Sequence, residues 1–231
     1  IGDWSSDVCS ADLMREATAR AMGLPAVAIL STIERHNGFA EDPVQLRGGW
    51  AMDVPDLYAM AGLAPGGIDV VQTYDDYPVI VMMQFEDLGF CAKGEGPAFV
   101  RAHDLTIGGS FPHNTGGGQL SAGQAGAAGG YLGLVEAMRQ LTRTAGGTQV
   151  ARARTALVSG FGMINYDRGL CAAAAILAAS ASATPTTTLS VCATASGTPS
   201  PTGTVSATST LSPSSTASAP PTPSSSPTST A

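Results

Sequence analysis

The sequence predicts an α/β fold, and three observations predict it. Between Met14 and Ala179 helical and strand-like segments alternate, the pattern of a sheet covered by helices. The late strand-like segments, Thr155 to Ser159 and Cys171 to Leu177, are built of small and apolar residues that suit a sheet buried on both faces. Every Asp, Glu, Lys and Arg lies at or before Arg168, so of the 231 residues only about 180 belong to a foldable part.

The elements follow in order. Met14 to Met22 has helical composition, and Ala26 to Thr32 is a β-capable apolar run that precedes the polar loop His36 to Gly49. Asp53 followed by Pro55 signals a helix start, and Leu57, Tyr58, Met60 and Ala61 recur at helical spacing up to Gly62. A turn at Ala64 to Gly67 leads to a short buried strand, Ile68 to Thr73. Pro78 opens a further helix, with Ile80, Met83 and Leu88 on one face, ending at Gly89. Phe90 to Gly96 reads as a glycine-bounded turn and Pro97 to Ala102 as a helix. Seven glycines then fall between Gly116 and Gly130, just ahead of a helix over Tyr131 to Arg143. Each interior glycine costs about 0.5–1 kcal/mol relative to Ala, so their number requires close backbone packing or a close ligand. The last two strands are expected to join around Gly160, Gly162 and Gly169.

Composition excludes several functions. A net charge of -7 with 11 scattered basic residues provides no positive stripe for a phosphate backbone, so nucleic acid is not an expected partner. The longest apolar run, Cys171 to Ala179, is about half a membrane span, and the expectation is a cytoplasmic protein without a membrane span. Four cysteines without CxxC spacing and three histidines without helical pairing predict neither disulfide nor metal site.

Both ends differ from the middle. Residues 1–13 resemble a translated sequencing adaptor and are read as an adaptor-like scar. Residues 180–231 carry no charge, and 45 of these 52 are Ser, Thr, Pro or Ala, so a disordered tail is expected.

Three ordered blocks carry a family resemblance: IDVVQTYDDYPVIVMMQFEDLGFCAKGEG, NTGGGQLSAGQAGAAGG and TALVSGFGMINYDRGLCAAAAIL. Together they resemble the C-terminal half of thiolase-like proteins, nearest to the sterol carrier protein X and lipid-transfer branch with its steroid side-chain retro-aldolases. The resemblance implies a half-domain over 54–179, with a mixed five-stranded sheet and helices on both faces, preceded by a loop or linker region over 14–53. It further implies that the nucleophilic cysteine belongs to an absent N-terminal half. Cys91, in a glycine-rich turn, is therefore read as a packed thiol.

The resemblance also assigns candidate site residues. Tyr74-Asp75-Asp76-Tyr77 corresponds to the family's Asn-Glu-Ala-Phe or His-Asp-Cys-Phe block. That places Tyr74 where the retro-aldolase branch uses tyrosines as acid and base, since a phenol hydroxyl both donates and accepts; the alternative reading is a core aromatic at a strand end. One of Asp75 and Asp76 is expected to order its surroundings and the other to face solvent, because neighbouring strand residues point opposite ways. Gly123-Gln124-Ala125 corresponds to the Gly-His-Pro block, so Gln124 replaces a histidine and can donate to an oxyanion without exchanging a proton. Val158-Ser159-Gly160 corresponds to the Cys-x-Gly block, where Ser159 is read as structural. His113 is a catalytic candidate at the turn Asn114 to Gly118, and Asn114, Gly117, Gly118 and Gly160 are candidate substrate-binding positions.

Three functions are expected from this resemblance. The first is a fragment of an acyltransferase acting on acyl-CoA thioesters of lipid or sterol metabolism, inactive alone. The second is a retro-aldol lyase on a β-hydroxyacyl-CoA with a zinc-ribbon/OB-fold partner subunit, and the third a degenerate lipid-binding or transfer module. In each, no cofactor is bound, coenzyme A enters as the substrate's thioester, and the N-terminal half and a second copy in a homodimer are the expected partners.

Overall fold

The computed structural model describes residues 13–180 apart from 124, 125, 166 and 167, and leaves out the side chains of 126–128, 163–165, 168 and 169. The adaptor-like residues 1–12 and the tail beyond Ser180 lie outside the described residues.

Helix α1, Glu16–Met22, stops where Gly23 takes a left-handed φ of 66°; the Gly23 N–H donates to the Arg20 carbonyl and the Leu24 N–H to that of Ala19. Strand β1 follows at Val27–His36, and helix α2, Trp50–Ala61, ends the same way at Gly62. The region 14–53, expected as a loop or linker, thus contributes a helix and a full sheet strand. Helix α2 also begins earlier than Asp53, because Trp50 is drawn into the core ahead of the charged residue. Strand β2 is short, Val70–Gln72, and helices α3 (Pro78–Asp87), α4 (Gly96–Ala102), α5 (Gly118–Ala122) and α6 (Leu132–Leu141) intervene before the long strands β3 (Thr155–Asn165) and β4 (Arg168–Ala179). The glycines expected at the β3–β4 junction instead lie within the ladder, with Gly160 across from Ala173 and Gly162 across from Cys171.

The sheet is mixed, in the order β1-β4-β3-β2, with only the β2–β3 pair parallel. Neighbouring residues of each strand serve opposite faces. Leu157, Ile176 and Val71 join Trp50, Leu57, Phe85 and Leu88 beneath α2 and α3, whereas Ala156, Leu177 and Val70 join Ala137 and Leu141 beneath α6. Helices therefore cover both faces, as expected. Trp50, fully buried, stacks on Phe161 at 5.5 Å, and its indole N–H donates to the Ala173 carbonyl at 2.9 Å. A Cβ on Gly48 would lie 2.2 Å from the Trp50 ring, so only glycine lets the chain pass there.

Five strands were expected and four are found among the described residues. The fifth shrinks to a single parallel bridge between Val71 and His113, in which the Val71 N–H donates to Pro112 and the Asn114 N–H to Val71. Asn114 then turns into the left-handed region at φ 43°, which ends the extended backbone. Its side chain takes over the pairing: Oδ1 accepts from the Thr73 N–H at 2.9 Å and Nδ2 donates to the Thr73 carbonyl at 3.1 Å.

Behind that bridge lies an aromatic cluster. Phe85 meets Phe99 and Phe111 at 5.4 Å and the His113 ring edge-on at 4.9 Å. His113 shares a 2.7 Å hydrogen bond between Nε2 and Thr73 Oγ1, and burial pulls its pKa down from 6.5 to about 4.

In the unfolded chain His113 takes up a proton near pH 6.5, whereas in the fold it resists until about pH 4. Stability therefore falls as pH drops through this window, by at most roughly 3 kcal/mol. Chemical denaturation of the parent and of His113→Asn at pH 7 and pH 4.5 checks this. The variant is expected to start less stable and to lose less on acidification, and equal losses in both would refute the assignment.

Candidate functional site

The end of β2 makes the site. Beyond Gln72 no described strand pairs with the β2-side edge of β3, and this edge from Ser159 to Gly162 borders a pocket of about 540 Å³. Residues Gln72 to Asp75, the loop from Asn114 to Gln119, and the Leu132, Gly133, Glu136 and Arg139 face of α6 supply its other walls.

Tyr74 reaches the pocket at the start of the turn after β2. Its ring leans on Phe161 at 6.0 Å, and its hydroxyl donates to Asp76 Oδ2 at 3.1 Å. The backbone of Tyr74 is fixed from below by Gln84, a fully buried residue set in the apolar run Pro78 to Phe85 of helix α3. Gln84 Oε1 accepts from the Tyr74 N–H at 3.2 Å and Nε2 donates to the Tyr74 carbonyl at 2.7 Å. The same Oε1 accepts from Ser159 Oγ at 2.7 Å, so Ser159 is committed to holding the pocket floor.

Asp76 is half-buried where one of the two carboxylates was expected to face solvent, and Asp75 is buried and takes the ordering role expected of the other. Its Oδ1 accepts from the Gln119 N–H at 2.7 Å. This draws the glycine loop onto β2 so closely that a Cβ on Gly118, which has φ 60°, would sit 2.0 Å from Asp75 Oδ2. The loop glycine is thus explained by approach of a protein carboxylate.

On the α6 side Glu136 is buried but fully compensated. Its Oε1 accepts from Thr115 Oγ1 at 2.7 Å and Gln140 Nε2 at 2.9 Å, and Oε2 accepts from Arg139 Nη1 at 2.9 Å. Across the pocket Gly160 and Gly162 are bare: a Cβ at either would meet no atom within 4 Å.

The structure brings Tyr74, Asn114, Gly118 and Gly160 to one pocket. Gly117 is the residue preceding α5, with φ 98°. His113 sits behind the wall in the aromatic cluster, away from the pocket lining. Asn114 spends both amide atoms on Thr73, so its visible role is to shape the wall. Gln124 lies outside the described residues. Cys91 is half-buried against the aromatic cluster, where burial pushes its thiol pKa up. Sequence reasoning missed Gln84, Thr115 and Glu136. A single Gln inside the apolar run Pro78 to Phe85 was the available signal for the first, and a carboxylate between Val135 and Ala137 for the last. Among the described residues, no helix is long and apolar enough to cross a membrane.

Known proteins resemble this chain in sequence and fold. The chain is 44% identical over 88 residues to a steroid side-chain-cleaving aldolase of Thermomonospora curvata, covering 38% of this chain and 22% of the relative. Over the same length it is 38% identical to a 17-hydroxy-3-oxo-4-pregnene-20-carboxyl-CoA lyase of Mycobacterium tuberculosis, again covering 38% of this chain and 22% of the relative. The match therefore spans about a fifth of these relatives' length. Among solved structures, an Ltp2-ChsH2(DUF35) aldolase superposes with a TM-score of 0.56 at 28% identity, over 67% of this chain and 40% of that one. The family described as "Thiolase C-terminal domain-like" matches residues 35–177, well over half of the sequence. The chain belongs to that family of thiolase C-terminal domains.

Proposed function

We propose that this chain is the C-terminal half of a retro-aldol lyase that cleaves a β-hydroxyacyl-CoA thioester of the steroid side-chain type. The observation that carries the reading is the Tyr74–Asp76 pair at the pocket, in a chain whose relatives include an aldolase and a lyase of that class. This displaces acyl transfer, the first expectation from the sequence, because the described wall offers a phenol and carboxylates where condensing thiolases use imidazole and thiol.

The chemistry needs a group that removes the proton of the substrate's β-hydroxyl. The Tyr74 oxygen accepts that proton while its own moves to Asp76 Oδ2, 3.1 Å away. The hydroxyl oxygen becomes a carbonyl, the Cα–Cβ bond breaks, and its electron pair passes to Cα as the thioester enolate. Reprotonation of Cα releases a short acyl-CoA and a ketone or aldehyde. Gln84 holds the Tyr74 main chain at both N–H and carbonyl, so the phenol starts from a fixed base. Gly160 and Gly162 keep the opposite wall clear for a bulky substrate. The N-terminal half completes the cleft, and a DUF35-type subunit is the partner we assign to the complex.

In the complete protein with its partner, turnover is expected to yield a ketone or aldehyde without consuming free coenzyme A, followed by mass spectrometry of both products. Cleavage that depends on added coenzyme A and yields two acyl-CoAs would restore the thiolase reading. Tyr74→Phe keeps the ring packing but loses the proton carrier, so kcat should fall by about 10²–10⁴ with little change in KM. A variant as active as its parent would remove Tyr74 from the mechanism. Gly160→Val should raise KM while leaving the unfolding midpoint unchanged, since its side chain enters the pocket and a β-branched residue suits a strand.

A further inference from the structure

At the far end of the β1–β4 ladder, outside the pocket, three side chains of different chemistry converge. His36 stands directly across from Cys171, and Glu34, two residues earlier, shares its face of β1. Glu34 Oε1 lies 2.7 Å from His36 Nε2 and 3.9 Å from Cys171 Sγ, and one ligand atom from each residue lies within 4.8 Å of the other two.

We propose that Glu34, His36 and Cys171 form a binding site for a divalent transition-metal ion of the zinc class, with three protein ligands and one position open to solvent or a small ligand. Imidazole, thiolate and carboxylate are the three donor types that zinc takes, and the sulfur disfavours magnesium and calcium. At metal–ligand lengths of about 2.0–2.3 Å, tetrahedral ligand atoms stand about 3.3–3.6 Å apart. The observed separations bracket that value, so small rotations of Glu34 and His36 close the site. Both have room to move, with side chains 62% and 55% exposed. The backbone already fixes their spacing through the paired register, which lowers the ordering cost. On binding, the thiol gives its proton to solvent and the thiolate bonds the metal. The histidine spacing along the chain predicted no metal site; the three ligands meet only across two strands, 137 residues separating Glu34 from Cys171.

Cobalt(II) titration of the metal-free full chain tests this, read by the thiolate-to-cobalt charge-transfer band in the near ultraviolet. One equivalent is expected to bind, with zinc displacing it. Replacing Cys9, Cys91 and Cys192 together with Ser should leave the band intact, and Cys171→Ser should abolish it. His36→Ala and Glu34→Gln are each expected to weaken binding by at least about tenfold. Both change exposed side chains, so they remain informative if Cys171→Ser fails to fold. Absence of the band in the parent, its survival in Cys171→Ser, or unaltered affinity in the His36 and Glu34 variants would overturn the site.

Discussion

The pocket depends on where β2 stops. Three residues of β2 pair with β3, and at Thr73 the chain leaves the ladder while β3 continues to Asn165. A buried strand end normally leaves backbone groups without partners, at a cost of about 1–3 kcal/mol each. Here side chains replace the missing strand. The Asn114 amide pairs with both polar groups of Thr73, and the Gln84 amide does the same for Tyr74 one residue later. Two amide side chains thus substitute for two peptide groups, and the chain can turn away from the sheet without losing its hydrogen bonds. The uncovered edge of β3 becomes a wall of the pocket.

That substitution also explains why the site is rigid. Gln84 reaches Tyr74, Ile80 and Ser159 at once, tying helix α3, the turn after β2 and strand β3 into one unit. Asp75 pins the glycine loop, and Glu136 ties Thr115 of that loop to α6. Gln84, Asp75 and Glu136 thus each have partners within the protein, which sets the wall before a substrate enters. The price appears in the sequence as glycine: Gly118 can be nothing larger beside the Asp75 carboxylate.

Much of the fold was legible from local signals. Gly62 at a left-handed cap, Pro78 at a first helical turn and the small apolar run Cys171 to Leu177 in β4 all placed their elements on chemistry carried by a few residues. The sheet's fifth member was not legible, because its shortening depends on the left-handed turn at Asn114, which nothing in the local spacing requires. Gly160 and Gly162, read as part of the junction between the last two strands, proved to be strand residues, since tertiary pairing with β4 overrides the local preference. In the candidate site, Tyr74 stood out by its place in a quoted block. Gln84 and Glu136 were hidden for the opposite reason: on a helix, a buried polar residue shows its meaning only when its partner from another element is known.

His113 shows how placement decides chemistry. A histidine beside a glycine turn is the natural general base by residue type. Packed against Phe85 with a pKa of about 4, it holds a proton in only roughly one molecule in a thousand at pH 7. Its neutral ring is correspondingly weak at taking one up, and its Nε2 is shared with Thr73. The residue therefore contributes to the bridge that ends the sheet and not to proton transfer. In the function proposed above that task falls to the phenol of Tyr74, which lines the pocket and donates to a carboxylate two residues away. Cleaving a carbon–carbon bond next to a hydroxyl needs one proton removed and an enolate held, which a phenol–carboxylate pair on a fixed backbone serves. A condensing thiolase needs an imidazole and a thiol in the same space, and the described wall offers neither.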